Sequence, residues 1–131
     1  MKKATLINQP LSEVIAGMGH GDLLVIGDAG LPIPPATRRI DLAVTRDVPR
    51  FLDVVRAVLT ELQVEEALVA GETWQVSPHV GAGLRDALGP IPVRTITHEE
   101  LKALSARAVA VVRTGEHTPY ANVVLKAGVT F

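Results

Sequence analysis

Short apolar runs alternate with amphipathic segments along most of this 131-residue chain. Leu23–Ile26, Ala67–Ala70 and Ala108–Val112 lack the in–out alternation of a strand with one face in water. Val48–Gln63 instead repeats its apolar side chains at helical spacing. Strands buried on both faces and separated by helices are typical of α/β proteins. We therefore predict an α/β fold, with a mostly parallel, Rossmann-like sheet flanked by helices in a single domain over residues 1–131.

Capping and turn residues set the remaining bounds. Asn8 and Thr97 stand at helix N-cap positions, and Glu100 completes a Thr-x-x-Glu capping box. Gly19 and Gly89 follow helices as stop signals. The predicted helices are Leu11–Met18, Val48–Gln63, one that begins at Ser77-Pro78 and ends before Gly89, and one from Thr97 to about Leu104. The predicted strands are Leu23–Ile26, Ile40–Thr45, Ala67–Ala70, Pro92–Ile96, Ala108–Val112 and Val123–Lys126.

Composition argues against several classes of protein. The absence of cysteine excludes disulfides, a thiolate nucleophile and a zinc–thiolate site. A net charge of −1 and an aromatic content of 3% argue against a nucleic-acid partner. No apolar run approaches the roughly 20 residues of a membrane span, and Met1–Leu6 lacks the apolar core of a signal peptide, so we expect a cytoplasmic protein. The apolar content of 47% favours packing against copies of the same chain.

Polar side chains gather directly after the apolar run Ala108–Val112. The segment Arg113–Asn122 holds the only tyrosine, Tyr120, two residues before Asn122. In an extended segment, this spacing would place the phenol and the amide on one face, where they match vicinal hydroxyls of a sugar. Polar groups just past a buried strand are typical of ligand sites in α/β proteins. The alternative is a buried tyrosine with a satisfied hydroxyl beside a turn asparagine.

Three further side chains suit the same chemistry. Asp28 directly follows the first predicted strand and can bind a sugar hydroxyl or orient a histidine; the alternative is a turn aspartate that accepts backbone N–H groups. His98 opens the capped helix, where a neutral imidazole can accept or donate a proton; the alternative is a surface histidine. His20 lies between two glycines that leave its ring accessible; the alternative is a helix C-cap.

In their order and spacing, several segments resemble the D-ribose pyranase / L-fucose mutarotase family, most closely its ribose pyranase branch. The resemblance runs from end to end and is weakest over Glu72–Ala87, and His117 stands where an apolar or small residue is expected. The segments that carry it are Met1-Lys2-Lys3, Gly19-His20-Gly21-Asp22, 26–34, Ile40-Asp41-Leu42, 97–102, Arg113-Thr114-Gly115-Glu116, 118–122 and Ala127-Gly128-Val129.

This resemblance implies an isomerase that interconverts the β-pyranose and β-furanose forms of D-ribose without a cofactor or a metal. It implies His20 as the general acid, and Asp28, His98, Tyr120 and Asn122 as sugar-binding residues. It also implies a ring-shaped homo-oligomer, commonly a decamer or otherwise an octamer, with sites at subunit boundaries. The alternative function is a non-catalytic sugar-binding accessory protein of a pentose uptake system. A nucleotide-binding regulator is disfavoured because no phosphate loop is present, and a purely structural ring protein remains a third alternative.

Overall fold

The computed structural model describes residues 1–131 and contains six strands and five helices. The strands are β1 (Leu23–Gly27), β2 (Arg39–Asp41), β3 (Val64–Ala70), β4 (Val93–Ile96), β5 (Ala110–Arg113) and β6 (Val123–Ala127). The helices are α1 (Gln9–Gly17), α2 (Phe51–Leu59), α3 (Gly71–Val76), α4 (Pro78–Leu88) and α5 (His98–Ser105). None of them is long and apolar enough to cross a membrane.

All six strands form one sheet in the order β2-β5-β1-β6-β3-β4. Three of the five strand pairings are parallel, and β6 runs against both of its neighbours. The predicted α/β fold with a mostly parallel sheet is therefore confirmed. Because the other five strands point the same way, their carboxyl ends lie together with the amino end of β6. We call this the carboxyl end of the sheet, and the opposite one its amino end.

Apolar side chains cover both faces of the sheet. Along β1, Leu24 and Ile26 belong to the larger core layer, which is packed with side chains of α1, α2 and α4. Val25 belongs to the smaller layer, which includes Leu101 of α5. Successive residues of a strand point to opposite faces, so a strand covered on both sides needs an unbroken apolar run. This burial explains why the apolar runs predicted the central strands.

Two predicted elements are shorter in the structure by more than one residue. The predicted helix Val48–Gln63 is confined to α2, and the free Phe51 backbone N–H at the start of this helix donates to the Glu116 carboxylate. The strand predicted to reach Thr45 ends at Asp41, whose carboxylate accepts the Ala43 backbone N–H at 3.0 Å and turns the chain. Apolar spacing reports which side chains are buried, not where the backbone pattern stops.

Helix α3 was not predicted at all. It spans six residues, begins at Gly71 and ends at Val76, and its C-cap Ser77 immediately precedes the Pro78 that begins α4. A helix this short shows too few turns for its apolar period to be recognised. Its position nevertheless matters, because it follows β3 directly and therefore lies at the carboxyl end of the sheet.

Candidate active site

Asp28 and Asn122 meet at the carboxyl end of the sheet. The fully buried Asn122 amide accepts the Asp28 backbone N–H at 2.8 Å and donates to the Asp28 carboxylate at 3.3 Å. Gly27 makes this approach feasible, since a Cβ there would lie 2.6 Å from the Leu31 side chain and 2.9 Å from the Asn122 amide oxygen. The Gly30 backbone N–H donates to the second carboxylate oxygen at 2.9 Å. Asp28 is thus a turn aspartate that also faces this end of the sheet.

The environment of Asp28 acts on its ionisation in two directions. Burial is the largest effect and raises the pKa of the Asp28 carboxyl above its ordinary value of 3.8. Hydrogen bonds from Gly30, Asn122 and Leu31, together with the nearby charge of His98, oppose this rise in pKa. The carboxyl group therefore lies in a partly dehydrated position, where a hydrogen bond to a ligand is stronger than it would be in water.

His98 occupies the first position of α5, as predicted. The Thr97 hydroxyl accepts the Glu100 backbone N–H at 3.0 Å, and the Glu72 carboxylate accepts the His98 backbone N–H at 2.8 Å. The His98 ring meets the Tyr120 ring edge to face, with centroids 5.0 Å apart and planes at 88°. Its Nδ1 atom is buried without a hydrogen-bond partner in the chain. Buried polar atoms are nearly always paired, so this nitrogen is a candidate ligand contact.

Tyr120 lies in a turn, and the prediction that it shares one face of an extended segment with Asn122 is wrong. Its φ of 61° is in the left-handed region, which turns the chain between the two side chains. The Tyr120 carbonyl accepts the Thr73 hydroxyl at 2.6 Å and the Asn122 backbone N–H at 2.9 Å. The Ser77 hydroxyl donates to the Pro119 carbonyl at 2.6 Å. Both Tyr120 and Asn122 nevertheless remain at the carboxyl end.

No local pattern in the sequence predicts the supporting contacts made by three residues in and beside α3. Glu72, Thr73 and Ser77 each bind backbone next to a predicted site residue or at it. All three lie in or beside the stretch where the family resemblance is weakest. The Ser-Pro helix start at Ser77 was visible in the sequence, but nothing local indicated that its hydroxyl reaches residue Pro119, 42 positions away.

His20 lies at the opposite, amino end of the sheet. The backbone N–H of Gly21 donates to the Ala127 carbonyl at 2.9 Å, which fixes the His20 turn beside the end of β6. The His20 side chain is 61% exposed, and its Nε2 lies 2.7 Å from a Glu65 carboxylate oxygen. The alternative of a C-cap that binds helix carbonyls is therefore wrong. The five residues of β1 separate His20 from Asp28, which corresponds to at least about 16 Å along the strand.

One chain thus brings together four of the five predicted site residues. A cavity of about 370 Å³ lies against Asp28 and is otherwise lined by Ala29, Gly30, Arg113, Glu116, His117, Thr118 and Pro119. A larger cavity of about 800 Å³ lies beside α1, where it is lined by Lys2 and Glu61 among others, far from the paired polar groups described above. Convergent polar groups indicate a ligand site better than cavity volume does, so the carboxyl end of the sheet is the candidate site.

Comparison with known proteins identifies the family. A model of the RbsD / FucU transport protein family matches residues 1–130. The chain belongs to the RbsD / FucU family. The resemblance inferred from the short segments is therefore confirmed over nearly the whole chain.

Relatives within the RbsD / FucU family align along their full lengths. The D-ribose pyranases of Symbiobacterium thermophilum and Chloroflexus aggregans are 67% and 60% identical to this chain, with all of each chain covered. The structure of Bacillus subtilis RbsD complexed with D-ribose matches with a TM-score of 0.96 at 39% identity, again over 100% of both chains. The fucose mutarotase of Streptococcus pneumoniae, solved with L-fucose, shares the fold with a TM-score of 0.78 at 22% identity.

Proposed function

We propose that this chain is a D-ribose pyranase, an isomerase that interconverts the β-pyranose and β-furanose forms of D-ribose. The observation that carries the proposal is the 67% identity to a protein named D-ribose pyranase, in an alignment that covers the whole of both chains. The close structural match to an RbsD complexed with D-ribose supports the same substrate. One sheet links the elements from Leu23 to Ala127, so we assign the activity to a single domain over residues 1–131. We propose that the enzyme acts in the cytoplasm.

Four side chains at the carboxyl end would bind the sugar. Asp28 accepts hydrogen bonds from sugar hydroxyls, and the buried Nδ1 of His98 gains in the ligand the partner that the chain does not provide. The Tyr120 ring, held edge to face against His98, gives the sugar an apolar wall and a phenol. Asn122 orients the Asp28 carboxyl through its two hydrogen bonds and completes the polar surface.

Ring opening and ring closure each need two proton transfers, and neither step needs a covalent intermediate. His20 donates a proton to the ring oxygen O5 as the C1–O5 bond breaks, with its electron pair staying on O5. His98 accepts the proton of the anomeric hydroxyl, and C1 becomes an aldehyde. After rotation of the open chain, O4 attacks C1 and gives its proton to the His20 imidazole, which lost one in the first step. His98 then returns its proton to the carbonyl oxygen. A well-placed acid–base pair contributes about 10²- to 10⁴-fold to such steps.

A second copy of the chain would supply His20. Within one chain, β1 holds His20 and Asp28 at opposite ends of the sheet, so they cannot contact one sugar. The His20 ring is more than half exposed and free to face a neighbour. We therefore propose a homo-oligomer in which each site lies at a subunit boundary. The family resemblance implies that this oligomer is a ring-shaped decamer or otherwise an octamer.

The test is magnetisation transfer by NMR on D-ribose at neutral pH, with wild type and His20→Ala compared. Wild type should carry saturation from the β-pyranose anomeric signal to the β-furanose signal. His20→Ala should slow this exchange by about 10²-fold or more, while circular dichroism and ribose binding remain close to wild type. Ribose binding by the wild type with no acceleration of exchange would instead support the non-catalytic accessory function.

A further inference from the structure

Three charged or titratable side chains, His20, Glu65 and Lys126, form a cluster at the amino end of the sheet. The proposed mechanism gives a role to His20 but not to the other two. We infer that Glu65 is a positioning residue, which fixes the His20 ring so that Nδ1 is the nitrogen that exchanges a proton with the sugar. This inference rests on the proposed function. One Glu65 carboxylate oxygen lies 2.7 Å from His20 Nε2, and the other lies 2.8 Å from Lys126 Nζ.

A β-bulge aims Glu65 at His20. In the pairing of β3 with β6, Val64 stands opposite Ala127 and Glu66 opposite Lys126, so Glu65 is the extra residue on β3. A bulge of this kind redirects a side chain out of the regular alternation, and such bulges are frequent beside active sites. The strand irregularity therefore has a consequence for the chemistry, because it sets a carboxylate against the ring of His20, the proposed general acid.

Glycines on both sides allow this arrangement. A Cβ on Gly128 would lie 3.0 Å from the Glu65 Cβ, so a larger residue there would push the carboxylate side chain away. Gly21 has a φ of 86° and, through its hydrogen bond to Ala127, holds the His20 turn against the same strand end. The ring and the carboxylate are thus both placed by backbone and not by flexible side chains alone.

The charge state of Glu65 determines which ring nitrogen is free. Hydrogen bonds from Lys126 and then from His20 lower the pKa of the Glu65 carboxyl, so it is ionised at neutral pH. An ionised carboxylate only accepts hydrogen bonds, so Nε2 must carry a proton. Nδ1 is then the nitrogen that gives its proton to the sugar ring oxygen, and the neutral ring that remains keeps its Nε2 proton.

The first test compares Glu65→Ala with Glu66→Ala as a matched control, since Glu66 is the next residue on β3 and pairs with Arg94 instead. Glu65→Ala should slow pyranose–furanose exchange by about 10- to 100-fold, by analogy with the loss of a partner that orients a metal-binding histidine. Ribose affinity should change by less than about twofold, because Glu65 does not touch the sugar. Glu65→Gln keeps an oxygen that can accept from Nε2 and should recover part of the rate, and Glu66→Ala should exchange like wild type.

A second test reads the ring directly by ¹⁵N NMR, with the His20 signals assigned from their loss in His20→Ala. The neutral ring in wild type should be protonated at Nε2, and Glu65→Ala should shift it to a mixture of tautomers. Wild-type exchange rates in Glu65→Ala, or a neutral ring protonated at Nδ1 in wild type, would overturn the inference. If wild type itself does not accelerate ribose exchange, the proposed function fails, and the tautomer then still decides whether Glu65 orients His20.

Discussion

At the scale of single residues, the polar groups of the site differ in how far the chain itself satisfies them. The buried Asn122 amide is used by Asp28 through two hydrogen bonds, whereas the buried Nδ1 of His98 has no partner. A group that is already paired supports the fold, and one that is unpaired is available to a ligand. The two residues should therefore respond differently to truncation, although both lie at the same end of the sheet.

We predict that Asn122→Ala lowers the free energy of unfolding by about 1–3 kcal/mol, because it leaves the Asp28 backbone N–H without its acceptor. His98→Ala should weaken ribose binding about tenfold or more through the loss of a polar contact, with a change of less than about 1 kcal/mol in stability. Urea denaturation and ribose titration of both variants check this. Equal losses of stability in the two variants would contradict the assignment of separate roles.

The raised pKa of Asp28 predicts a direction for stability against pH. Between the ordinary value of 3.8 and its higher folded-state value, the folded chain keeps a proton that the unfolded chain releases. Stability contributed by this group is therefore present at low pH and decreases as pH rises through that interval. Asp28→Asn cannot titrate, so wild type should lose stability relative to this variant as pH increases.

Thermal unfolding from about pH 3.5 to about pH 7 gives the stability of wild type minus that of Asp28→Asn at each pH. The other titrating groups are common to both proteins, so their contributions cancel in this difference. The difference should fall as pH rises and then level off. A difference that grows in favour of wild type would mean that the hydrogen bonds to the carboxylate outweigh its burial.

At the scale of elements, α3 connects two parts of the site. Glu72 binds the first backbone N–H of α5, and Thr73 and Ser77 bind the turn that carries Tyr120. Tyr120 has a left-handed backbone conformation, which an ordinary residue adopts only where its surroundings hold it. Helix α3 therefore supplies contacts that hold the His98 and Tyr120 rings against each other.

We predict that Thr73→Val weakens ribose binding about tenfold, because the nearly isosteric change removes the donor to the Tyr120 carbonyl and releases the turn. Thr60→Val is the matched control, since the Thr60 hydroxyl also donates to a backbone carbonyl, that of Ala57, at the exposed end of α2. Isothermal titration with ribose should show the loss in Thr73→Val alone. Equal affinities in the two variants would mean that the turn is held by its other contacts.

At the scale of the whole molecule, the direction of β1 divides the predicted site. The strand leads from the His20 turn to Asp28, and β6 returns from Asn122 to the cluster that contains Lys126 and Glu65. No side-chain movement spans five residues of strand. A site that uses both ends of the sheet must therefore combine two copies of the chain.

Mixed oligomers test this arrangement. His20→Ala and His98→Ala should each be nearly inactive alone, but co-expressed copies should form sites in which one chain provides His20 and its neighbour provides His98. Random assembly should restore about a quarter of wild-type exchange activity in complexes purified through a different tag on each variant. Hybrids no more active than either variant alone would contradict a site shared between subunits.

By itself, the sequence determined the fold class and the family, and it predicted which residues form the site. Unbroken apolar runs report burial on both faces of a strand, and the Asn8 and Thr97 caps act within a few residues of chain, so both are readable locally. The short segments around Asp28, His98 and Asn122 identified the family because their order is specific.

Only the tertiary structure decided which of these residues meet. That Asp28 contacts Asn122, 94 residues later, depends on β6 entering the sheet beside β1 in the reverse direction. The same pairing places His20 at the far end, beside the bulge that turns Glu65 toward it. These contacts are non-local, and no periodicity or cap in the sequence specifies the strand order that creates them.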